Sequence, residues 1–412
     1  MSEIKRCFNL LKRRINFSIT MKVLHTSDWH LGNVLHGYDR TVSEASFLAQ
    51  LEDIVRSQQP DCMIVSGDVY NVPAPSSSVQ KLYTDAMLKI HNACKDMTII
   101  VIAGNHDSPA KLEIDRNLWN AFNVSVIGGF EKTDGAVNLS KHVIEIKDTN
   151  GDIKGYVAAV PYFYRRNFPD LFTSLQQYII EINKNNLPVI LSAHAAITGS
   201  EIKSNSIRMQ DMEFTELENL GDIYDYIALG HIHYPQTLQN SDKKARYCGS
   251  SIAVSFNEEY KHSVTIVNVD KGAQPLIQTI EIKDEMPVKT VPPAPCPIES
   301  VFEYVNENKE QLKNCFLRFN VTVKDFLPPD SKEKSTEICN QIGAYFCTFD
   351  IHRQKTSTGE YENKIITAQE LKQMTPVTVA ENYLKQNGTE LSEDFKQMII
   401  QITQTVNKET EL

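Results

Sequence analysis

The run Thr98-Ile-Ile-Val-Ile-Ala103, followed at once by Gly104-Asn105-His106-Asp107, decides how this chain is read. A row of β-branched residues with no polar break predicts a strand buried on both faces, as in the middle of a parallel sheet. An amide, an imidazole and a carboxylate then stand where the strand ends. Open α/β sheets bind their ligands beyond the carboxyl ends of their strands.

Four other segments repeat the design. Thr26-Ser-Asp28-Trp-His30 follows the strand-like run Val23–Thr26, and Ser66-Gly-Asp68 follows Cys62–Ser66. Ser192-Ala-His194 closes Val189–Ser192, and Leu229-Gly-His231-Ile-His233 closes Tyr226–Leu229. Helical patterns lie between some of these runs, such as Ser77–Ala93 with Leu82, Ala86, Leu88 and Ile90. Arg246–Val269 alternates strand and turn. The alternation predicts a layered α/β domain. Five strands in one sheet would bring the five polar ends to one rim.

The side chains at those ends carry the chemistry. Asp28, Asp68, Asn105 and the histidines form a mixed oxygen and imidazole set without thiolate. Such a set suits Mn, Fe, Zn or Mg, and a carboxylate can bridge two cations that clamp an in-line displacement at phosphorus. Glycine before Asp68, Asn105 and His231 permits sharp turns there. His231 and His233, two apart, would point to the same face of a strand.

Composition bounds the rest. The chain has 412 residues, eight cysteines and a net charge of −10. The cysteines are scattered with no C-x-x-C pair, which fits a reducing cytoplasm and argues against a disulfide scaffold or zinc cluster. No apolar run approaches the roughly 18 residues of a membrane span. The acidic balance runs against a stand-alone DNA binder, though bound cations or a partner chain can supply positive charge. No Walker-type G-x-x-x-x-G-K-[ST] occurs, so any ATP dependence comes from another chain.

Five units are expected along the chain. Residues 1–20 are basic and carry no motif, and are expected to be a disordered extension ahead of Met21. The domain bearing the motifs is placed at 21–285. Pro287, Pro292, Pro293, Pro295 and Pro297 predict an extended linker over 286–298. A small α+β domain follows over 299–366, with strands around Phe316–Val323 and Cys347–Arg353 and a helix around Ser331–Gly343. Residues 367–412 read as helices. The stripe Leu391, Phe395, Met398, Ile399, Ile402 and Val406 recurs at helical spacing and suits docking on a partner.

D-x-H, G-D, G-N-H-D, H and G-H-x-H in this order resemble the calcineurin-like metallophosphoesterases. Ser27-Asp-Trp-His-Leu-Gly32 with Arg40 and Glu44, then Tyr247-Cys-Gly-Ser250 and Ser255-Phe-Asn-Glu258, are similar to the SbcD group of bacterial double-strand-break repair nuclease subunits. The resemblance implies a metallophosphoesterase β-sandwich flanked by helices, then a capping domain and C-terminal helices that bind the ATPase. It implies two divalent ions, most often Mn²⁺, one on Asp28, His30, Asp68 and His233. The other is implied on Asp68, Asn105, His194 and His231. His106 is implied as the catalytic non-ligand histidine facing the scissile phosphate. It further implies a homodimeric DNA exonuclease and endonuclease working with an SbcC-like ATPase. Where phosphatases of the superfamily carry a second Asp, three residues after the bridging one, this chain has Asn71, which cannot hold a negative charge beside an imidazole. Two other readings share the site: a small-substrate phosphodiesterase or nucleotide hydrolase, and an inactive scaffold. The added small domain and helices speak against the first, and the complete donor set against the second.

Overall fold

The structure is a computed structural model that describes residues 20–353 apart from 134–135, 204–212 and 243, together with 375–386 and most of 391–403. The expected N-terminal extension, residues 354–374, and Ile402 and Val406 of the C-terminal stripe lie outside the described residues. Residues up to 354 form one compact unit and those from 355 a second.

The first sheet begins with four parallel strands: β1 (Met21–Thr26), β2 (Cys62–Ser66), β3 (Thr98–Ile102) and β4 (Val124–Ile127). The second holds β5 (Val143–Lys147), β6 (Ile153–Val160), β7 (Val189–His194), β8 (Tyr226–Gly230) and β9 (Ala245–Tyr247). Strands β6 to β9 run parallel, β5 runs antiparallel to β6, and Gln236–Thr237 pairs antiparallel to β9. The chain then returns to the first sheet with β10 (Ser263–Val269) and β11 (Leu276–Glu281). The first sheet is thus ordered β11-β10-β1-β2-β3-β4.

The two sheets face each other. Val23, Ile64, Ile100 and Val267 of the first pack on Val157, Ala159, Ile190 and Ala228 of the second, all fully buried. Helices α1 (Thr41–Gln58) and α2 (Ser77–Ala93) cover the outer face of the first sheet through Phe47, Leu51, Met87 and Ile90. Helix α3 (Leu171–Ile182) covers the second through Leu175 and Ile179. Strands buried on both faces must be apolar throughout, which is why the β-branched runs could be recognised in the sequence. The expected sandwich flanked by helices is present, with the five strand ends divided between its sheets rather than gathered in one: β1, β2 and β3 lie in the first sheet, and β7 and β8 in the second. Their carboxyl ends still share a rim because the sheets are stacked.

A second correction concerns the proline-rich stretch. Val288–Cys296, expected as a linker, is strand β12. It pairs parallel to β13 (Phe316–Val323), which pairs parallel to β14 (Tyr345–Arg353). Proline has no N–H to donate, so it is tolerated at a sheet edge, and β12 is an edge. The register slips between Val291 and Cys296, across Pro292, Pro293 and Pro295. Helices α4 (Ile298–Glu307) and α5 (Ser331–Ile342) pack on this three-stranded sheet around Val301, Val305, Phe319 and Cys339. Gly343, at φ 72°, ends α5 in the left-handed conformation. Leu35, Ala253, Phe256, Val288 and Phe316 join this layer to the sandwich.

In the second unit, Pro376–Gln386 forms helix α6, and residues 395–400 are helical. Among the described residues, no helix is long and apolar enough to cross a membrane.

Candidate metal centre

The ends of β1 and β2 turn abruptly. Asp28, His30 and Asp68 have φ of 51°, 46° and 51°, and Gly67 has 91°. This left-handed backbone is unfavourable for residues with a Cβ and persists where the surroundings fix it. The fixing bonds are Asp28 N–H to Gly67 O at 2.9 Å, His30 N–H to Asp68 O at 3.0 Å and Leu31 N–H to Val69 O at 3.0 Å. The first two loops therefore run as a pair beyond the sheet.

Close approach, more than turning, explains two of the glycines. A Cβ on Gly104 would lie 2.0 Å from Asp68 Oδ1, and one on Gly230 would lie 1.9 Å from Ser66 O. Asp107 ties the same loops together. Its carboxylate accepts from Val69 N–H at 3.1 Å, Tyr70 N–H at 2.9 Å and Gly104 N–H at 2.8 Å. Burial, then the Asp68 charge, raises its pKa to about 6.

All eight expected site residues come together. Asp28, His30 and His233 offer ligand atoms close enough to share one ion, as do Asp68, His194 and His231, and His30, Asp68 and His106 form a third group between them. Asp68 stands between them. Its Oδ1 accepts from His106 N–H at 2.9 Å, while Oδ2 lies 3.6 Å from His30 Nε2 and 3.5 Å from His194 Nε2. Asn105 Oδ1 lies 3.0 Å from His194 Nε2 and 2.8 Å from His231 Nδ1. His231 and His233 follow β8 rather than lying on it, and they diverge. His231 turns to Asn105, whereas His233 Nε2 comes to 3.1 Å from His30 Nε2.

This donor set fits divalent cations. His194 Nδ1 must donate to Ser66 O, 2.8 Å away, which leaves a lone pair on Nε2 in the neutral ring. That lone pair faces Asp68 Oδ2 and Asn105 Oδ1, two more acceptors. Acceptors converge in this way only on a proton or a cation. The ion-free electrostatics say the same. Burial alone would lower His194 and His233, yet Asp68 beside the first and Glu258 beside the second lift each to about 9. Burial takes His30 and His231 down to about 3. Burial pushes Asp68 upward, but His194 and the other imidazoles hold its carboxyl well below the usual range.

His106 is half-buried at the edge of the first group, its ring 4.8 Å from that of His30. Its Nδ1 donates to the backbone carbonyl of Asn71 at 3.0 Å. The Asn71 side chain instead accepts from Asn33 Nδ2 at 3.3 Å. The missing acid at this position is therefore replaced by a main-chain acceptor.

Several residues about the site went unassigned in the sequence. Glu44 Oε1 accepts from Gly32 N–H at 2.9 Å and Asn33 N–H at 3.0 Å, fixing the loop after His30. Arg40 pairs with Asp284 at 2.6 Å. The Tyr162 ring lies 6.1 Å from those of His194 and His231. Only the SbcD-like strings containing Arg40, Glu44 and Glu258 marked any of these beforehand.

Stacked mixed sheets, with two donor groups sharing one carboxylate at their rim, define a metal-dependent phosphoesterase. The calcineurin-like phosphoesterase family model matches residues 21–235, and the chain belongs to that family. Within it, the chain is similar to the SbcD subunit of nuclease SbcCD from Rhodobacter capsulatus, at 29% identity over 278 residues, or 62% of this chain and 68% of that protein. The Bacillus subtilis SbcD subunit is 28% identical over 325 residues, covering 74% of this chain and 80% of that protein. That of Escherichia coli K12 is 30% identical over 274 residues, covering 60% and 66%.

Proposed function

We propose that this chain is a cytoplasmic, Mn²⁺-dependent DNA nuclease, cutting duplex ends as an exonuclease and single strands or hairpins as an endonuclease. It acts with an SbcC-like ATPase in DNA repair and recombination. The observation that carries this reading is the pair of donor groups joined by Asp68, in a chain whose similarity to the SbcD subunits runs past the phosphoesterase match.

In this reading Asp28, His30, Asp68 and His233 hold one ion, and Asp68, Asn105, His194 and His231 hold the other. The ions, when bound, supply a water of lowered pKa and positive charge beside the phosphate oxygens. His106 keeps its Nδ1 proton on the Asn71 carbonyl. When protonated, its Nε2 donates to the scissile phosphate or the leaving oxygen. Asp107 and Glu44 keep the loops bearing these groups in register.

The partners are also proposals. Ile114, Leu118 and Phe122, exposed beyond the Asn105–Asp107 loop, support a homodimer. The three-stranded layer of β12, β13 and β14 would cap the DNA. The C-terminal helices, with Phe395 and Met398 exposed, would dock the ATPase.

The test is cleavage by the purified chain with Mn²⁺, with and without the ATPase, on blunt duplex, hairpin and a small phosphodiester. Cutting of both DNAs supports the proposal. Turnover of the small diester alone would make this a small-substrate phosphodiesterase, and no turnover with bound ions would make it a scaffold.

A further inference from the structure

The segment Ser250–Glu258 returns beneath His233 and supplies none of the ligands assigned above. Ser250 N–H donates to His233 O at 3.0 Å. Gly249, at φ 81°, passes so close that a Cβ there would lie 2.4 Å from the same oxygen. This packing brings Glu258 Oε1 to 2.9 Å from His233 Nδ1.

Glu258 is 1% exposed. A carboxylate so deep stays charged only where donors surround it. Ser250 Oγ donates to its Oε2 at 2.8 Å, and Val254 N–H does so at 3.2 Å. With the His233 Nδ1–H, these donors offset the cost of burying the carboxylate.

The other site imidazoles are backed differently. Nδ1 of His194 meets the Ser66 carbonyl, and that of His106 the Asn71 carbonyl. His231 Nδ1 faces the Asn105 amide oxygen on the ligand side, and His30 Nδ1 has no partner. Among the described residues, Glu258 is the one carboxylate behind a site imidazole. Charge is therefore uneven across the centre. The Asp28 side has Asp28, Glu258 and a share of Asp68. The Asn105 side has only its share of Asp68.

We infer that Glu258 is a positioning residue that fixes His233 with Nε2 toward the ion and makes the two sites unequal, the Asp28–His30–Asp68–His233 site binding first and more tightly. The inference rests on the two-ion reading above. A carboxylate accepting Nδ1–H from a ligating histidine orients the ring and makes its other nitrogen a stronger donor, and losing it costs roughly 10–100-fold in metal affinity.

The test is calorimetric titration of chelator-stripped full-length protein with MnCl₂, with electron paramagnetic resonance to separate a lone Mn²⁺ from a coupled pair. Wild type should bind two ions with resolved affinities, the lone-ion signal preceding the coupled one. Glu258→Gln keeps the volume and an acceptor for Nδ1–H but removes the charge. It should weaken the tighter affinity roughly 10–100-fold, leave the weaker one in place, and melt like wild type when ion-free. A loop anchor without influence on the metal would leave both affinities unchanged, and that result overturns the inference. A second pair of variants does not depend on how Glu258→Gln folds. His231→Ala should keep the tight ion and lose the weak one, and His233→Ala should do the reverse. Loss of the tight ion in His231→Ala would also overturn it. Wild type that binds no Mn²⁺ would instead refute the two-ion reading, and ion binding without DNA cleavage would refute only the nuclease proposal.

Discussion

Gly104→Ala tests how the site is assembled. The added Cβ would meet Asp68 Oδ1 at 2.0 Å, Asp68 N at 2.3 Å and Asp68 Cγ at 2.7 Å. Ordinary contact needs roughly 3.5 Å, so about 1 Å or more of separation must be found. Rotating the carboxylate cannot provide it, because the backbone nitrogen is struck as well. Either the Ala103–Asp107 loop or the Gly67–Asp68 turn must move, and the shared carboxylate moves with it. Displacement on the order of 1 Å costs about 10²-fold in rate, or about 2.7 kcal/mol. Overpacking adds roughly 1–3 kcal/mol of destabilisation. The assay is bound Mn²⁺ by mass spectrometry, turnover of a chromogenic phosphodiester and urea denaturation. Gly129→Ala is the control, since its Cβ would meet only Pro109 Cβ at 3.7 Å. Gly104→Ala with both ions and an unchanged rate would refute the close-approach account of this rim.

Four further outcomes follow from the same geometry. Asp68→Ala should lose both ions together, because Oδ2 faces both donor groups; retention of two tightly bound ions would refute a shared carboxylate. His106→Leu should keep the metal content and lose roughly 10²–10⁴-fold in rate, whereas Asn71→Ala should lose less than about threefold, since the backbone carbonyl holds His106; comparing turnover in the two variants decides this. His194 and His233, at about 9 without ions, must shed protons to ligate, so Mn²⁺ affinity should rise with pH up to about 9 and level off above that. Titration in buffers of different ionisation enthalpy counts the protons released. Glu44 is raised to about 7, first by burial. A raised carboxyl contributes stability fully below the unfolded value near 4.5 and loses it as pH climbs through 7. Glu44→Gln should therefore gain up to about 3 kcal/mol on wild type at pH 8 and little at pH 4, as read by urea denaturation.

Strands and donors are written locally in the chain. A strand buried on both faces must be a β-branched run, and its end is marked by the first residues that cannot be buried, so the five strand ends were legible from sequence. The donor types were equally legible, because a cation site without thiolate needs carboxylate, amide and imidazole. Proline density misled at Val288–Cys296, since a missing N–H forbids a central strand but not an edge. Whatever depends on contacts between distant segments waited for the folded molecule. Folding split the strands between two sheets, and it sent His231 and His233, two residues apart, to opposite donor groups. It gave His106 a main-chain acceptor at Asn71, which no side-chain pattern can encode. It placed Glu258 behind His233 through a loop that begins beyond β9. Local sequence specifies a backbone's shape and a side chain's chemistry, but the identity of the group facing it is fixed only when the two sheets stack and their loops meet.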